Sequence, residues 1–365
     1  MTGMVLLMIV QLSARTLEPT QAGGIPGDGC VGPIAREASI REINAVMPDG
    51  ARARPRPQDA GWVPVELSDI TEVGDRFAVV DAGVPALTLL DAGLRRLWSI
   101  ERRGNGPGEL QVPRKVRVDP RGDTLWVLDE GRHALMAFTT DGRPQRTIPV
   151  PSDVIDFDVT RKGELLVSHL VLPSRVTSSA VVLSRVGTNG TLVPLVSHPR
   201  QALRPPQFVL PGPNRPTVRV LGDLVAVVYP AAGVVDLYRP SDARGYQHLR
   251  TIAACMPDGL RRAYAAQLAE RRNPQTAVDL ISDVARRGDT LFVAGTRPDA
   301  NRRYGIQRFL LSTGGNAGAI VFPGDRRVLP GDFRFRSGPS FTFMAFDSFA
   351  GYVALLEVTE RGAPR

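Results

Sequence analysis

Asp81, Asp129 and Asp156 stand where short apolar segments end or begin, and their carboxylates are the residues of this chain best suited to chemistry. Hard oxygens drawn from several such places suit calcium, which takes many oxygen ligands, and a bound divalent cation can polarise a substrate or activate water. The same positions suit a second use, because an aspartate beside a turn accepts hydrogen bonds from nearby backbone amides. Both readings stand. His133, His169, His198 and His248 are too widely spaced for a local zinc signature, although a repeat fold can gather distant residues. Cys30 and Cys255 lie in no motif with a histidine, which argues against thiol catalysis. In an oxidising compartment they form a disulfide that staples the amino-terminal region to the later chain; the alternative is two unrelated thiols. The chain has no Gly-x-Ser-x-Gly elbow and no phosphate-binding Gly-x-x-x-x-Gly-Lys loop.

The elements that must position these residues are strands. A Gly-Asp or Gly-Glu pair followed by an apolar run recurs at Gly74-Asp75, Gly122-Asp123, Gly163-Glu164, Gly222-Asp223 and Gly288-Asp289, at intervals of 48, 41, 59 and 66 residues. The first two intervals are close to the length of one four-stranded propeller blade, and the later excess is insertion. Lys115-Val116-Arg117-Val118 alternates as a strand does, Asp119 to Asp123 turns, and Thr124-Leu125-Trp126-Val127-Leu128 returns. Ala134 to Phe138 is a third strand and Thr147 to Val150 a fourth, at the edge where proline is tolerated. Phe77 to Val80, Ala86 to Leu90 and Arg96 to Ile100 repeat that order one unit earlier. With the apolar runs at Gly305 to Leu311, Phe341 to Phe346 and Tyr352 to Val358, the count is six blades. The carboxyl end is expected to close the array against strands near the amino end, because unpaired edges invite aggregation.

Between the two best units runs Gly104-Asn105-Gly106-Pro107-Gly108-Glu109-Leu110, with Pro113 three residues on; Asp119, Gly122, Val127, Asp129, Phe138, Asp141 and Gly142 follow in order. In these residues the chain resembles six-bladed β-propellers of the NHL-like and TolB-like kind, in which a Gly-x-Gly-Pro-Gly-Glu linker joins adjacent blades. The match is close over residues 66 to 150 and decays afterwards, and Leu110 stands where the linker often carries phenylalanine. The resemblance implies a rigid structural role for Gly104, Gly106, Pro107, Gly108, Glu109 and Pro113, and a protein that serves mostly as an interaction platform. It also supplies the enzymatic alternative, since lactonase-type propellers hold a divalent cation on inward carboxylates.

The chain has 365 residues, 36 glycines and 31 prolines, and at 43% hydrophobic it is turn-rich yet too apolar for general disorder. One helix is expected over 257–273, capped by Asp258 and stopped at Asn273-Pro274, as an insertion packed on the rim or acting as a lid. Residues 1–20 read as a signal peptide, with an apolar core from Met4 to Val10 and small residues after it but no Lys or Arg before it. That core is too short for a stable membrane span. Residues 21–60 form an extended lead-in with an edge strand at Ile40 to Val46, and residues 61–360 the propeller.

A net charge of +8 and a pI near 10.1 raise a nucleic-acid partner. The arginines argue against it: Arg102-Arg103, Arg261-Arg262 and Arg286-Arg287 are scattered, and lysine occurs only at Lys115 and Lys162. The expected product is an all-β, six-bladed β-propeller with a short helical insertion, secreted or periplasmic, needing no cofactor. It serves as a non-catalytic scaffold for a protein, peptide or glycan. The alternative is a metal-dependent hydrolase or lyase of lactonase type that uses the axial pocket with bound Ca2+.

Overall fold

The strand Thr124–Asp129 explains the architecture. Its Leu125 and Val127 join the apolar cluster shared with the sheet before it, while Trp126 and Leu128 join the cluster shared with the sheet after it. Side chains alternate across a strand, so an unbroken apolar run has both faces buried and needs a sheet on each side. The same logic repeats around the molecule, and each core lies between two successive sheets.

The computed structural model describes residues 35–46, 65–171, 181–197, 215–230, 233–241, 245–254, 281–295, 305–321, 332–335, 341–347 and 352–360. After β1 (Ala35–Val46), the first sheet holds β2 (Leu67–Val73), β3 (Arg76–Asp81), β4 (Ala86–Leu90) and β5 (Arg96–Ile100) in that order. The second holds β6 (Pro113–Val118), β7 (Thr124–Asp129), β8 (Ala134–Thr139) and β9 (Pro144–Pro149). The third holds β10 (Val154–Val159), β11 (Leu165–His169), β12 (Val181–Val186) and β13 (Leu192–Ser197), and the fourth β14 (Thr217–Leu221), β15 (Leu224–Tyr229), β16 (Val234–Ser241) and β17 (Gly245–Ala253). The remaining strands are β18 (Ile281–Arg287), β19 (Thr290–Gly295), β20 (Gly305–Leu310), β21 (Asn316–Val321), β22 (Asp332–Phe335), β23 (Phe341–Asp347) and β24 (Tyr352–Glu360). With β1 they make one eight-stranded sheet, in the order β18-β19-β20-β21-β1-β24-β23-β22.

The first strands β2, β6, β10, β14 and β18 follow one another around a common axis, β22 lies against β18, and β23 lies against β2. This is an all-β propeller. The expectation of six blades is corrected to five sheets, four of four strands and one of eight. The reason is local: β1 pairs antiparallel with β24 from Ala38↔Glu360 to Val46↔Val353 and also parallel with β21 from Ala35↔Ala319 to Glu37↔Val321, so hydrogen bonding runs on from one quartet into the next. The contact with β21 is confined to residues 35–37, so Ile40 to Val46 pairs with β24 alone and its other side has no strand partner among the described residues. All regular structure among the described residues is strand; the helix expected over 257–273 lies outside them, as do the signal peptide, Cys30 and Cys255. Among the described residues no helix is long and apolar enough to cross a membrane.

Five of the first-to-second strand turns are closed by the recurring glycines Gly74, Gly122, Gly163, Gly222 and Gly288, with φ of 63, 79, 79, 80 and 55°. This left-handed backbone is why the same residue type punctuates the repeat. In a four-stranded meander, first-to-second and third-to-fourth turns share one end. Second-to-third turns and the connections between sheets share the other, here called the linker face.

Candidate functional site

Asp81 and Asp129 end the second strands of their sheets, on the linker face. The Asp81 carboxylate accepts from the amides of Val65 (2.6 Å), Glu66 (2.9 Å), Gly83 (2.8 Å) and Val84 (3.2 Å). Asp129 accepts from Gln111 (2.7 Å), Val112 (2.9 Å) and Arg132 (3.1 Å). Each thus ties the chain entering its sheet to the turn leaving its second strand, as expected of an acid that satisfies turn amides.

The third sheet departs from this rule. Asp81 and Asp129 pair in register with Leu67 and Pro113, and the matching partner of Val154 is His169. His169 cannot accept from several amides at once. Its Nδ1 instead meets Asp153 Oδ2 at 3.3 Å and its Nε2 meets Ser184 Oγ at 2.9 Å. Acid, imidazole and hydroxyl are in the order of a nucleophilic relay, but Ser184 is 1% exposed and offers no surface to a substrate. Burial pulls His169 below the usual imidazole range, and Asp153 only partly opposes it.

Asp156, the third predicted ligand, lies at the centre of a buried chain of charge along the axis. Arg117 Nη1 on β6 donates to Asp69 on β2, and its Nη2 donates to Asp156 Oδ1 on β10 at 3.1 Å. Arg219 Nη1 on β14 donates to Asp156 Oδ2 at 2.8 Å, and its Nε donates to Asp283 on β18 at 2.7 Å. The two arginines are built alike: each Nη1 also donates to the preceding carbonyl, Val116 O at 2.7 Å or Val218 O at 2.6 Å. Each preceding amide donates to an acid of the earlier sheet, Val116 N to Asp69 and Val218 N to Asp156. Arg117 also lies over the Phe157 ring, 5.8 Å from its centroid. Bulges between positions 67 and 69, 154 and 156, and 281 and 283 immediately precede the three acids; a bulge re-aims the side chains beyond it.

Burial raises the Asp156 carboxyl, and the positive charges of Arg219, Arg117 and Lys115 more than reverse this, holding it below the ordinary aspartate range. Arg219 shows the complementary balance: burial opposes its charge, while Asp156, Asp283, Asp158 and Asp69 drive it well above the usual guanidinium value. Asp158 differs, because burial raises it further than Arg117 and Arg219 lower it. In the fourth sheet burial likewise raises the Asp236 carboxyl, against opposing contributions from Thr251, His248 and Tyr238.

The three predicted ligands therefore share none of these partners. Among the described residues no cluster of three or more His, Cys, Asp or Glu side chains is grouped for a metal. His133 lies at the linker-face turn after β7 and His248 on β17, where it meets Asp236 at 3.5 Å; His198 is outside the described residues. Sequence reasoning missed Asp69, Arg117, Arg219 and Asp283. The signal available was the matched pair Val116-Arg117-Val118 and Val218-Arg219-Val220, each shortly before a turn glycine.

The linker from Gly104 to Pro113 is held from within and without. Glu109 accepts from Gly106 N at 2.7 Å, and Arg132 donates to the carbonyls of Gly106 (2.9 Å), Glu109 (2.6 Å) and Asn105 (2.9 Å). Leu110 is fully buried in the core between the first two sheets. Gly108 has φ of 76°, and a Cβ there would stand 3.1 Å from Pro144 Cγ. Beside the linker, Arg114 pairs with Glu66 (2.6 Å) and Glu130 (3.4 Å), and Glu130 with Arg215 (3.3 Å), so charges from four sheet entries and turns form a belt on this face. A cavity of about 250 Å3 opens next to it between the second and third sheets, with Leu128, Val150, Ile155 and Leu170 in its wall and Glu130, His133 and Arg215 on its polar side.

No family model and no curated protein matches the chain. Solved structures do. A candidate exported protein of Bacteroides fragilis aligns with a TM-score of 0.55 at 13% identity, over 89% of this chain and 95% of that one. A Bacteroides thetaiotaomicron protein of unknown function aligns at 0.53 and 9% identity, over 88% and 77%. The protein U3-55K aligns at 0.52 and 10% identity, over 89% and 99%. At these identities the likeness is one of fold.

Proposed function

We propose that this protein is a non-catalytic binding scaffold outside the cytoplasm, a propeller of the NHL-like or TolB-like kind whose linker face receives a protein, peptide or glycan. The observation that carries the reading is the commitment of Asp81, Asp129 and Asp156 to backbone amides and guanidinium groups. A carboxylate so engaged has little left to offer a cation. The charged belt of Glu66, Arg114, Glu130 and Arg215 beside a small, partly apolar cavity supplies the contrasting surface that selects a ligand. The amino-terminal apolar run and the fold shared with a candidate exported protein support export.

Peptide and glycan arrays probed with purified protein test the reading. Binding is expected to fall with Arg114→Glu combined with Arg215→Glu on the linker face and to survive Arg121→Glu on the opposite face. Calcium retained stoichiometrically after dialysis, together with lactone hydrolysis that Asp156→Asn abolishes, would replace the scaffold with the enzyme.

A further inference from the structure

Buried charges on the first strands alternate in sign around the axis: Asp69 on β2, Arg117 on β6, Asp156 on β10, Arg219 on β14 and Asp283 on β18. Each is paired with the next through the hydrogen bonds described above. The series begins and ends with an acid. Five alternating charges closed into a circle set two like charges side by side, which is unfavourable in a poorly solvated interior; six do not.

The next first strand in order is β22, which lies against β18 and belongs to the quartet whose β23 lies against β2. It reads Asp332-Phe333-Arg334-Phe335. Arg334 is its one base, set between two apolar residues as Arg117 is in Val116-Arg117-Val118 and Arg219 in Val218-Arg219-Val220. In register it stands opposite Met344 of β23, as Arg117 stands opposite Trp126 and Arg219 opposite Ala226 of their second strands. We infer that Arg334 is the sixth member of this circuit, which then comprises three acids and three bases without net charge and closes across the seam between the last quartet and the first.

The circuit makes the axis a lock. Pairing of β1 with β24 ties the amino-terminal strand into the last quartet, and the circuit adds charge neutralisation at the axis where that quartet meets the first sheet. A neutral, fully paired ring also presents no site to a cation, so ligand recognition falls to the linker face.

Thermal unfolding of the full chain tests the assignment. Arg334→Met is expected to lower the midpoint by about as many degrees as Arg219→Met, while Arg121→Met on an exposed turn leaves it nearly unchanged. Combining Arg334→Met with Asp283→Asn should lose less than the two separate losses together, because removing both members of a pair strands less buried charge. An unchanged midpoint for Arg334→Met, or strictly additive losses with both Asp283→Asn and Asp69→Asn, would overturn it. Should Arg334→Met fail to fold, a crystal structure of the unaltered chain decides. Guanidinium nitrogens within about 3.5 Å of both the Asp69 and Asp283 carboxylates sustain the circuit, and any other placement refutes it.

Discussion

Asp156→Asn is the sharpest perturbation of the axis, because it removes one charge and almost no volume. Arg117 and Arg219, both nearly buried, then each lose one of two acidic partners and keep the other, Asp69 and Asp283 respectively. The lost pairs are at 3.1 and 2.8 Å. Two unit charges about 4 Å apart at an effective dielectric of about 20 attract by about 4 kcal/mol. The whole of that for two pairs is not recovered as stability, because burying the wild-type carboxylate costs several kcal/mol that the variant escapes. Asparagine also keeps one oxygen for a guanidinium or for the Val218 amide, which donates to Asp156 at 3.1 Å. Breaking a buried pair by neutralising one member typically costs about 3 to 5 kcal/mol, and the retained oxygen places Asp156→Asn near the lower end.

Urea denaturation is the assay, with the slope of the transition expected to match wild type, since neither end state changes its exposed surface much. The pH dependence supplies a second arm. Although burial raises the Asp156 carboxyl, Arg219, Arg117 and Lys115 bring it below its ordinary value. A depressed folded-state value contributes stability that is fully present above the unfolded aspartate value of about 4 and is lost as pH falls through the folded one. The gap between wild type and variant should therefore be largest near neutrality and shrink in acid. A variant within about 0.5 kcal/mol of wild type, the usual spread of innocuous surface changes, or a gap that persists at low pH, refutes the claim that this chain of charge stabilises the axis.

Gly108→Val should cost on the order of 1 to 3 kcal/mol through its left-handed backbone and the Pro144 contact, and chemical denaturation without loss would remove the linker's rigid role. Asp236→Asn should act in the opposite sense to Asp156→Asn: burial raises this carboxyl, so ionising it penalises the folded state as pH rises above the unfolded value, and the variant gains stability at neutral pH but not in acid. Equal urea midpoints for wild type and Asp236→Asn at both pH values would contradict that. Peptide mapping without reductant should recover a Cys30–Cys255 cross-link from exported protein, and Cys255→Ser should then lower stability by roughly 2 to 4 kcal/mol; alkylation of both thiols rules the bridge out.

The strands were legible wherever local chemistry repeats. A glycine is needed at each left-handed first-to-second turn, so Gly74, Gly122, Gly163, Gly222 and Gly288 mark the period on their own. Second strands buried on both faces read as unbroken apolar runs, as in Leu125 to Leu128. The sheet count was harder to foresee, because the parallel contact of residues 35–37 with 319–321 joins segments from opposite ends of the chain and leaves no local trace. One departure from the repeat after residue 150 is visible at a single corner. Where the first two sheets need an aspartate to gather amides, the third uses His169 with Asp153 and Ser184, a different way of closing the same corner.

The axial charges escaped notice for the opposite reason. In sequence, Val116-Arg117-Val118 is an ordinary alternating strand with its polar residue expected at the surface, and the scattered arginines of this chain give that residue no prominence. Folding reverses the meaning. A first strand of a propeller turns its polar side toward the axis, where water is scarce and the next sheet's acid is within reach. Its partners lie 39 to 64 residues away in sequence, too far for any local pattern to register. Composition therefore misleads here: a net charge of +8 suggests an anionic partner. Yet Arg117 and Arg219, the arginines that matter most to the interior, are both neutralised by acids from the same fold. The informative pattern is an acid opposite the next-to-last residue of one second strand and an arginine two residues further along the next first strand, and it becomes readable only once the turn glycines have set the repeats in phase.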